Sequence, residues 1–244
     1  QEVPPIWGVG GPPPRERGGV GTTAPATARL SKSMALIIKL AIVTGQRRTE
    51  VCGARVDELH GLDGKSPAWI IKGDENKRGK IVEGRTKNGR TQVVPLSPLA
   101  VALFKEALEQ CAGKEFIFPA DTSRAKTGKQ TRLPHIHGES VSKAVLRLRG
   151  SIEGMDSVLD VTVHDMRRAI SNLLKNEGVS REVRDLVLNH LDPSVTEANY
   201  SQLARMTTQV RAALEAWSAH IEKITGQGAA DQDAAGSNVV PLRA

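Results

Sequence analysis

Apolar residues are distributed along this chain in two patterns. From Met34 to Val43 they form a nearly unbroken run of ten residues, interrupted only by Lys39. Such a run is too short to cross a bilayer. With Ser31 or Ser33 before it and Gly45 after it, it predicts a helix over 31–44 with a serine cap and a glycine stop. Elsewhere the spacing is amphipathic. Val141, Val145 and Leu148 share one face of a helix over 139–149, and Leu203, Val210, Leu214 and Trp217 share one face over 203–224. Ser97-Pro98 opens a helix to about 110, with proline at the first helical position. Thr162 followed by Asp165 reads as a capping box for a helix that Gly178 closes, and Ser180 opens another to about 190. A short helix is expected at 48–54. Extended stretches are expected at 68–72 and in a hairpin that pairs 85–87 with 92–96 across the turn Asn88-Gly89, where both turn positions favour positive φ. The fold class is mainly α with a small antiparallel β-sheet (α+β), cored by Leu, Val, Ile and Ala.

The ends depart from these patterns. The first 25 residues hold six glycines and six prolines, with no apolar period. A segment of this composition cannot offset its ordering entropy, so 1–28 is expected to be a disordered Gly/Pro-rich tail. The small, polar stretch 225–244 is expected to be a second flexible tail, leaving one folded unit over 29–224 with no internal repeat.

Composition narrows the class only modestly. The chain has 244 residues, 39% hydrophobic and 25% charged, which excludes global disorder. Cys52 and Cys111 are too few for a disulfide framework and read as buried reduced thiols in a cytoplasmic protein. No secretory pattern opens the chain. Thirty-four Lys and Arg against 27 Asp and Glu give a net charge of +7, which favours an acidic partner, nucleic acid first. The location of that excess says more. Residues 72–91 carry Lys72, Lys77, Arg78, Lys80, Arg85, Lys87 and Arg90 against three carboxylates. A basic ribbon of this kind suits contact with a nucleic-acid backbone.

Five features carry candidate chemistry, and each has an ordinary structural reading beside the functional one. Thr44-Gly45-Gln46-Arg47-Arg48-Thr49-Glu50 is a glycine cap followed by an Arg/Glu pair on a new helix; it also places Arg47 near a helix N-terminus, where guanidinium and backbone N–H groups together receive a phosphate. Lys87 beside a turn is commonly a solvated residue, yet an ammonium there also donates a proton to a leaving oxygen. His164 and Arg167 lie three apart on one helix face, commonly a packing or surface pair. His190 reads alone as a helix-end histidine. Tyr200, the single tyrosine, reads alone as a residue whose hydroxyl caps a neighbour. His135 and His137 make a weak metal pair, and no metal site is expected.

Taken in order, Thr-Gly-x-Arg-x-x-Glu, the basic Thr-Lys-Asn-Gly-Arg hairpin, His-x-x-Arg, Leu-x-His and the following Tyr resemble the catalytic domain of the tyrosine recombinases, the phage-integrase family. The resemblance spans about 30–217 and is nearest, over 84–97, to integrases of prophages and genomic islands. It implies that Tyr200 is a nucleophile forming a 3′-phosphotyrosyl link to DNA, that Arg47 and Arg167 bind the non-bridging oxygens, and that His190 assists them. It further implies that Lys87 is the general acid, that His164 transfers a proton, and that Glu50 supports Arg47. The chemistry asks for these types in its own right. A phenol of pKa about 10 needs a base or a cationic field to attack, and planar, permanently charged guanidiniums suit charge developing on phosphoryl oxygens.

The implied activity is a site-specific, metal- and ATP-independent DNA strand transferase without cofactors, integrating or excising a mobile element. Its partner would be double-stranded DNA at attachment sites, and it would assemble as a homo-oligomer (a tetrameric synapse) on DNA, with a monomer free in solution. It would be cytoplasmic and nucleoid-associated in a bacterium. Family members usually carry a helical clamp domain ahead of the catalytic domain. Here about 28 Gly/Pro-rich residues precede the first helix, so a truncated, rearranged or misread N-terminus is expected. Two rival readings follow: a non-catalytic DNA-binding remnant, or a type IB topoisomerase-like nicking and resealing activity.

Overall fold

A computed structural model of the chain describes residues 30–73, 75–77, 80–82, 86, 89–120, 133–149, 162–190 and 200–226. The expected tail at 1–28, nearly all of that at 225–244, and most of the Asn88-Gly89 hairpin lie outside the described residues.

The apolar run forms α1 (Lys32–Thr44). Ser31 caps it, its Oγ accepting from Met34 N at 3.2 Å, and Gly45 ends it at φ 67°. Leu36, Ile37, Ile38, Leu40, Ala41 and Val43 are all buried, so this helix is covered on nearly every side, as a helix apolar around most of its circumference must be. The rest of the fold is arranged around it. In chain order follow α2 (Arg48–Cys52), a 3-10 turn (Val56–Glu58), β1 (Leu59–His60), β2 (Ala68–Ile71), β3 (Glu75–Lys77), β4 (Lys80–Val82), β5 (Gln92–Pro95) and α3 (Pro98–Cys111). Then come α4 (Gly138–Arg149), α5 (Val163–Asn176), α6 (Arg181–Val187) and α7 (Tyr200–Thr225). Helices α2, α3, α4, α5 and α7 all pack on α1. The architecture is mainly helical with a small antiparallel sheet, as the sequence pattern predicts. Among the described residues no helix is long and apolar enough to cross a membrane.

The sheet adds a pairing that the sequence pattern leaves open. Its strand order is β1-β2-β5, and β5 pairs antiparallel with β2, Trp69 opposite Val94 and Ile71 opposite Gln92. Trp69, Ile71, Val94 and Leu96 bury one apolar face together, which fixes this register. The expected partner of β5 in the Asn88-Gly89 hairpin, around Arg85 and Lys87, lies outside the described residues. Trp69 also stacks edge-on against Phe104 of α3 at 5.4 Å and donates from Nε1 to the buried Glu58 Oε2 at 3.1 Å. β3 and β4 form a separate two-stranded ribbon with Lys77 opposite Lys80, a pairing not foreseen from the sequence. At its base Gly73 lies so close to the returning chain that a Cβ there would stand 2.3 Å from the Arg90 carbonyl carbon, so only glycine fits.

The last helix begins three residues earlier than expected, at Tyr200 itself. Its far half is fastened to the core: Trp217 Nε1 donates to Ile42 O at 2.8 Å, and Ser218 Oγ lies 2.6 Å from Ser97 Oγ. Cys52 and Cys111 are buried and unpaired with each other, and burial pushes the Cys52 thiol up to about 12.

Candidate nucleic-acid active site

Three chain segments meet beside the carboxyl end of α1. The first is the α1–α2 turn. Gly45 takes a left-handed φ that lets the chain reverse, and a Cβ there would meet Ile170 Cδ1 of α5 at 3.2 Å. Arg47 follows as the residue capping α2. Glu50, at the third helical position, accepts from Arg47 N at 2.8 Å through Oε2 and from Arg47 Nη1 at 2.9 Å through Oε1. One carboxylate thus caps the helix and holds the guanidinium. Glu50 is buried, whereas the Arg47 side chain remains 22% exposed.

The second segment is the first turn of α5. Thr162 and Asp165 make the predicted reciprocal cap: Asp165 N donates to Thr162 Oγ1 at 3.3 Å and Thr162 N to Asp165 Oδ2 at 2.9 Å. The Thr162 hydroxyl, which donates to Asp165 Oδ2 at 2.6 Å, and then the Thr162 N–H hold the Asp165 carboxyl below its ordinary range. With the start of the helix fixed, His164 faces solvent and Arg167 turns inward to 4% exposure. Arg167 Nη1 donates to Gly45 O at 2.5 Å and Nη2 to Leu188 O at 2.7 Å, with His190 Nε2 a further 3.4 Å from Nη2. Burial first, and Arg47 second, push the Arg167 guanidinium down to about 10, so it remains charged at neutral pH.

The third segment is the end of α6. Asn189 adopts φ 50°, a left-handed conformation asparagine tolerates. Its N–H donates to Leu186 O at 3.2 Å and His190 N to Asp185 O at 2.7 Å, the two bonds of a Schellman closure. That closure sets the imidazole beside Arg167. A guanidinium only donates, so His190 Nε2 accepts there and the neutral ring carries its proton on Nδ1. Burial, then Arg167 and Arg47, lower the His190 pKa, with Asp185 opposing and His164 adding to the depression. The arrangement gathers two guanidiniums and an imidazole in a partly buried site, with Glu50 held on Arg47 and Asp185 paired with Arg181, and such an excess of fixed positive charge receives an anion. Among the described residues no three His, Cys, Asp or Glu side chains gather as a metal site requires; His137 Nδ1 instead accepts from Glu139 N at 3.1 Å, and His135 packs on Phe116.

The sequence profile of the phage integrase family matches residues 22–206. The chain belongs to this family and carries the catalytic domain of a tyrosine recombinase. Among curated relatives it is 28% identical over 176 residues to the prophage integrase IntA of Escherichia coli K12, covering 72% of this chain and 36% of that protein. The chain therefore spans about a third of the length of the relative it matches. Among solved structures it resembles the XerH recombinase bound to its difH substrate (15% identity, 72% of this chain and 47% of that one, TM-score 0.45). It also resembles a lambda integrase tetramer bound to a Holliday junction (18%, 71% and 44%, TM-score 0.44).

In this phage integrase domain, four of the residues singled out in the sequence come together: Arg47, Glu50, Arg167 and His190. His164 stands nearby on α5, within electrostatic reach of His190. Tyr200 opens α7, and its side chain lies outside the described residues, as do Lys87, Arg78 and Arg85. Of the remaining ribbon cations, Lys72 is exposed with Nζ 3.1 Å from Asp57 Oδ2. Lys77 and Lys80 oppose each other on β3 and β4, and Arg90 O accepts from Thr86 Oγ1 at 2.7 Å. Two residues that were not singled out in the sequence also border the site, the buried amides Gln46 and Gln92, whose Nε2 atoms both donate to Val187 O at the end of α6. No sequence signal marks either, because the carbonyl they share is 141 and 95 residues away.

Proposed function

We propose that this chain is the strand-cleaving and strand-rejoining part of a site-specific DNA recombinase that integrates or excises a mobile element. The observation that supports it best is the convergence of Arg47, Arg167 and His190 at one partly buried site, with Glu50 clasping Arg47. A phosphodiester entering that pocket meets two guanidiniums and an imidazole, the donors needed where negative charge grows on phosphoryl oxygens.

In this reading Tyr200 Oη attacks the scissile phosphorus, the bond from phosphorus to the 5′ oxygen breaks, and a 3′-phosphotyrosyl link forms. Lys87 gives its proton to the departing 5′ oxygen, and His164 takes the phenolic proton. Arg47 and Arg167 hold the non-bridging oxygens with His190 beside them. The phosphodiester energy is kept in the covalent link, so a 5′-hydroxyl from another strand reverses the step without ATP or metal. Lys72, Lys77, Arg78, Lys80, Arg85 and Arg90 grip the DNA backbone, and protomers of this chain assemble on double-stranded attachment sites.

The test is covalent capture. A nicked suicide duplex carrying the element–host junction traps the cleaved intermediate, which migrates as a DNA-linked band in a denaturing gel. A band with the natural chain and none with Tyr200→Phe is the expected outcome. No band with either chain makes the protein a DNA-binding remnant, and relaxation of arbitrary supercoiled plasmid makes it a topoisomerase-like enzyme.

A further inference from the structure

Helix α6 has seven residues, too few to hold its own end by helix formation alone. Beyond its Schellman closure, its last carbonyls are met from three other elements. Gln46, fully buried between α1 and α2, donates from Nε2 to Thr44 O and to Val187 O, each at 3.0 Å. Gln92 on β5, 7% exposed, reaches Val187 O at 3.3 Å and Leu186 O at 3.5 Å from its own Nε2. Arg167 takes the next carbonyl, Leu188 O. Two successive carbonyls that the helix end leaves orphaned, Val187 O and Leu188 O, are thus held by side chains from outside it, while Leu186 O, already accepting from Asn189 N, takes a longer second contact from Gln92. Two residues beyond, His190 stands beside Arg167.

The amides are poor choices for stability alone. Oε1 of Gln46 and of Gln92 are both buried without a hydrogen-bond partner among the described residues, a penalty that an apolar side chain of the same length avoids. Their donors, by contrast, are all directed at backbone carbonyls, most of them at the end of α6.

We propose that Gln46 and Gln92 are positioning residues whose amide donors hold the carboxyl end of α6, and through it His190, against Arg167. The inference rests on the reading of this pocket as the strand-cleaving centre, and it adds two residues that act on the phosphate only through the histidine. The groups facing His190 are Arg167 and His164 from α5, Arg47 ahead of α2, and Asp185 on α6 itself.

Gln46→Met and Gln92→Met remove the donors at nearly constant volume, and both are made in the full chain with folding checked by thermal melting. The first readout is the titration of the His190 imidazole by NMR, assigned by comparison with His190→Gln. Each substitution is expected to raise its pKa, because the ring then moves away from two guanidiniums and into water. The second is the rate of covalent capture at saturating DNA, expected to fall about ten- to a hundredfold with DNA affinity retained. In a His190→Gln background, adding Gln46→Met should change the rate less than about twofold, since both act through one group. An unchanged titration, or a full additional loss in the His190→Gln background, overturns the proposal. Should Gln46→Met not fold, Gln92→Met, whose contacts are longer, carries the same test. Should the natural chain capture no DNA, the strand-cleaving reading fails, while the titration still decides whether the glutamines position His190.

Discussion

The molecule holds positive charge in two places and in opposite ways. In the pocket, Arg167 is 4% exposed and fastened to Gly45 O and Leu188 O, while Arg47 is clasped by the buried Glu50. On the ribbon, Lys72 has its side chain 50% exposed and meets a half-exposed Asp57, and Lys77 stands opposite Lys80 on a two-stranded sheet. A two-stranded sheet is marginal by itself, and like charges directly across it oppose pairing. The pocket thus keeps its cations partly desolvated and oriented, at a cost in burial that only fixed carbonyl and carboxylate partners offset. Lys72, by contrast, keeps half its side chain in water and its pairing with Asp57 is an exposed one. Oriented charge lowers a barrier, whereas hydrated charge raises affinity and its salt dependence.

The most damaging single change should be Arg167→Lys. An ammonium has no planar fork, so it cannot hold Gly45 O and Leu188 O while also facing His190 and a phosphate. Covalent capture at saturating DNA should slow on the order of 10²–10³-fold. Stability should fall by about 2 kcal/mol from the lost charge-assisted bonds, which a thermal melt records as a lower Tm. A variant that cleaves at the natural rate would mean that the pocket holds its charge no more purposefully than the ribbon does.

The ribbon should respond in the other currency, affinity. Lys72→Ala should reduce the slope of log Kd against log salt by about 1 if its side chain neutralises one phosphate. Exposed ion pairs contribute little to folding, so Tm should move by no more than about a degree. A flat salt response in the natural chain would remove the ribbon from the interface. A large loss of Tm would show that its cations are structural after all.

How much of this was legible beforehand followed the reach of each interaction along the chain. Helix starts were readable because a cap lies within three residues of its partner: Ser31, Ser97, Thr162 and Ser180 all accept from a backbone N–H in the following turn. The pairing of β5 with β2 was not legible because the turn signal at Asn88-Gly89 is local, while β2 lies about twenty residues upstream and supplies the apolar face. Arg47, Arg167 and His190 were identifiable by type and order. Nothing in the sequence marked Arg167 as the buried link between α1 and α6, since that follows from where Gly45 O and Leu188 O come to rest. Gln46 and Gln92 escaped notice for the same reason: an amide has no preferred role until the fold delivers a carbonyl to it.

The smallest expected effect separates the two regions by pH. His190 has a folded pKa below its ordinary value, through burial and then Arg167 and Arg47, so the folded protein binds that proton more weakly than the unfolded chain does. Between the two values the unfolded state carries more protons, and stability therefore rises with pH across that window. Equivalently, it is lost as pH falls below about 6.5. Comparing Tm of the natural chain with that of His190→Gln from about pH 7.5 to 5.5 should show the natural chain losing more on the acid side, by a few degrees at most because the ring is partly exposed. DNA should reverse the sign. A phosphate seated beside the ring favours its protonated form, so the rise in Tm that DNA confers should grow as pH falls, and less so in His190→Gln. Parallel curves without DNA would mean that the ring lies outside the field of the two guanidiniums, leaving the pocket no electrostatic feature that the ribbon lacks.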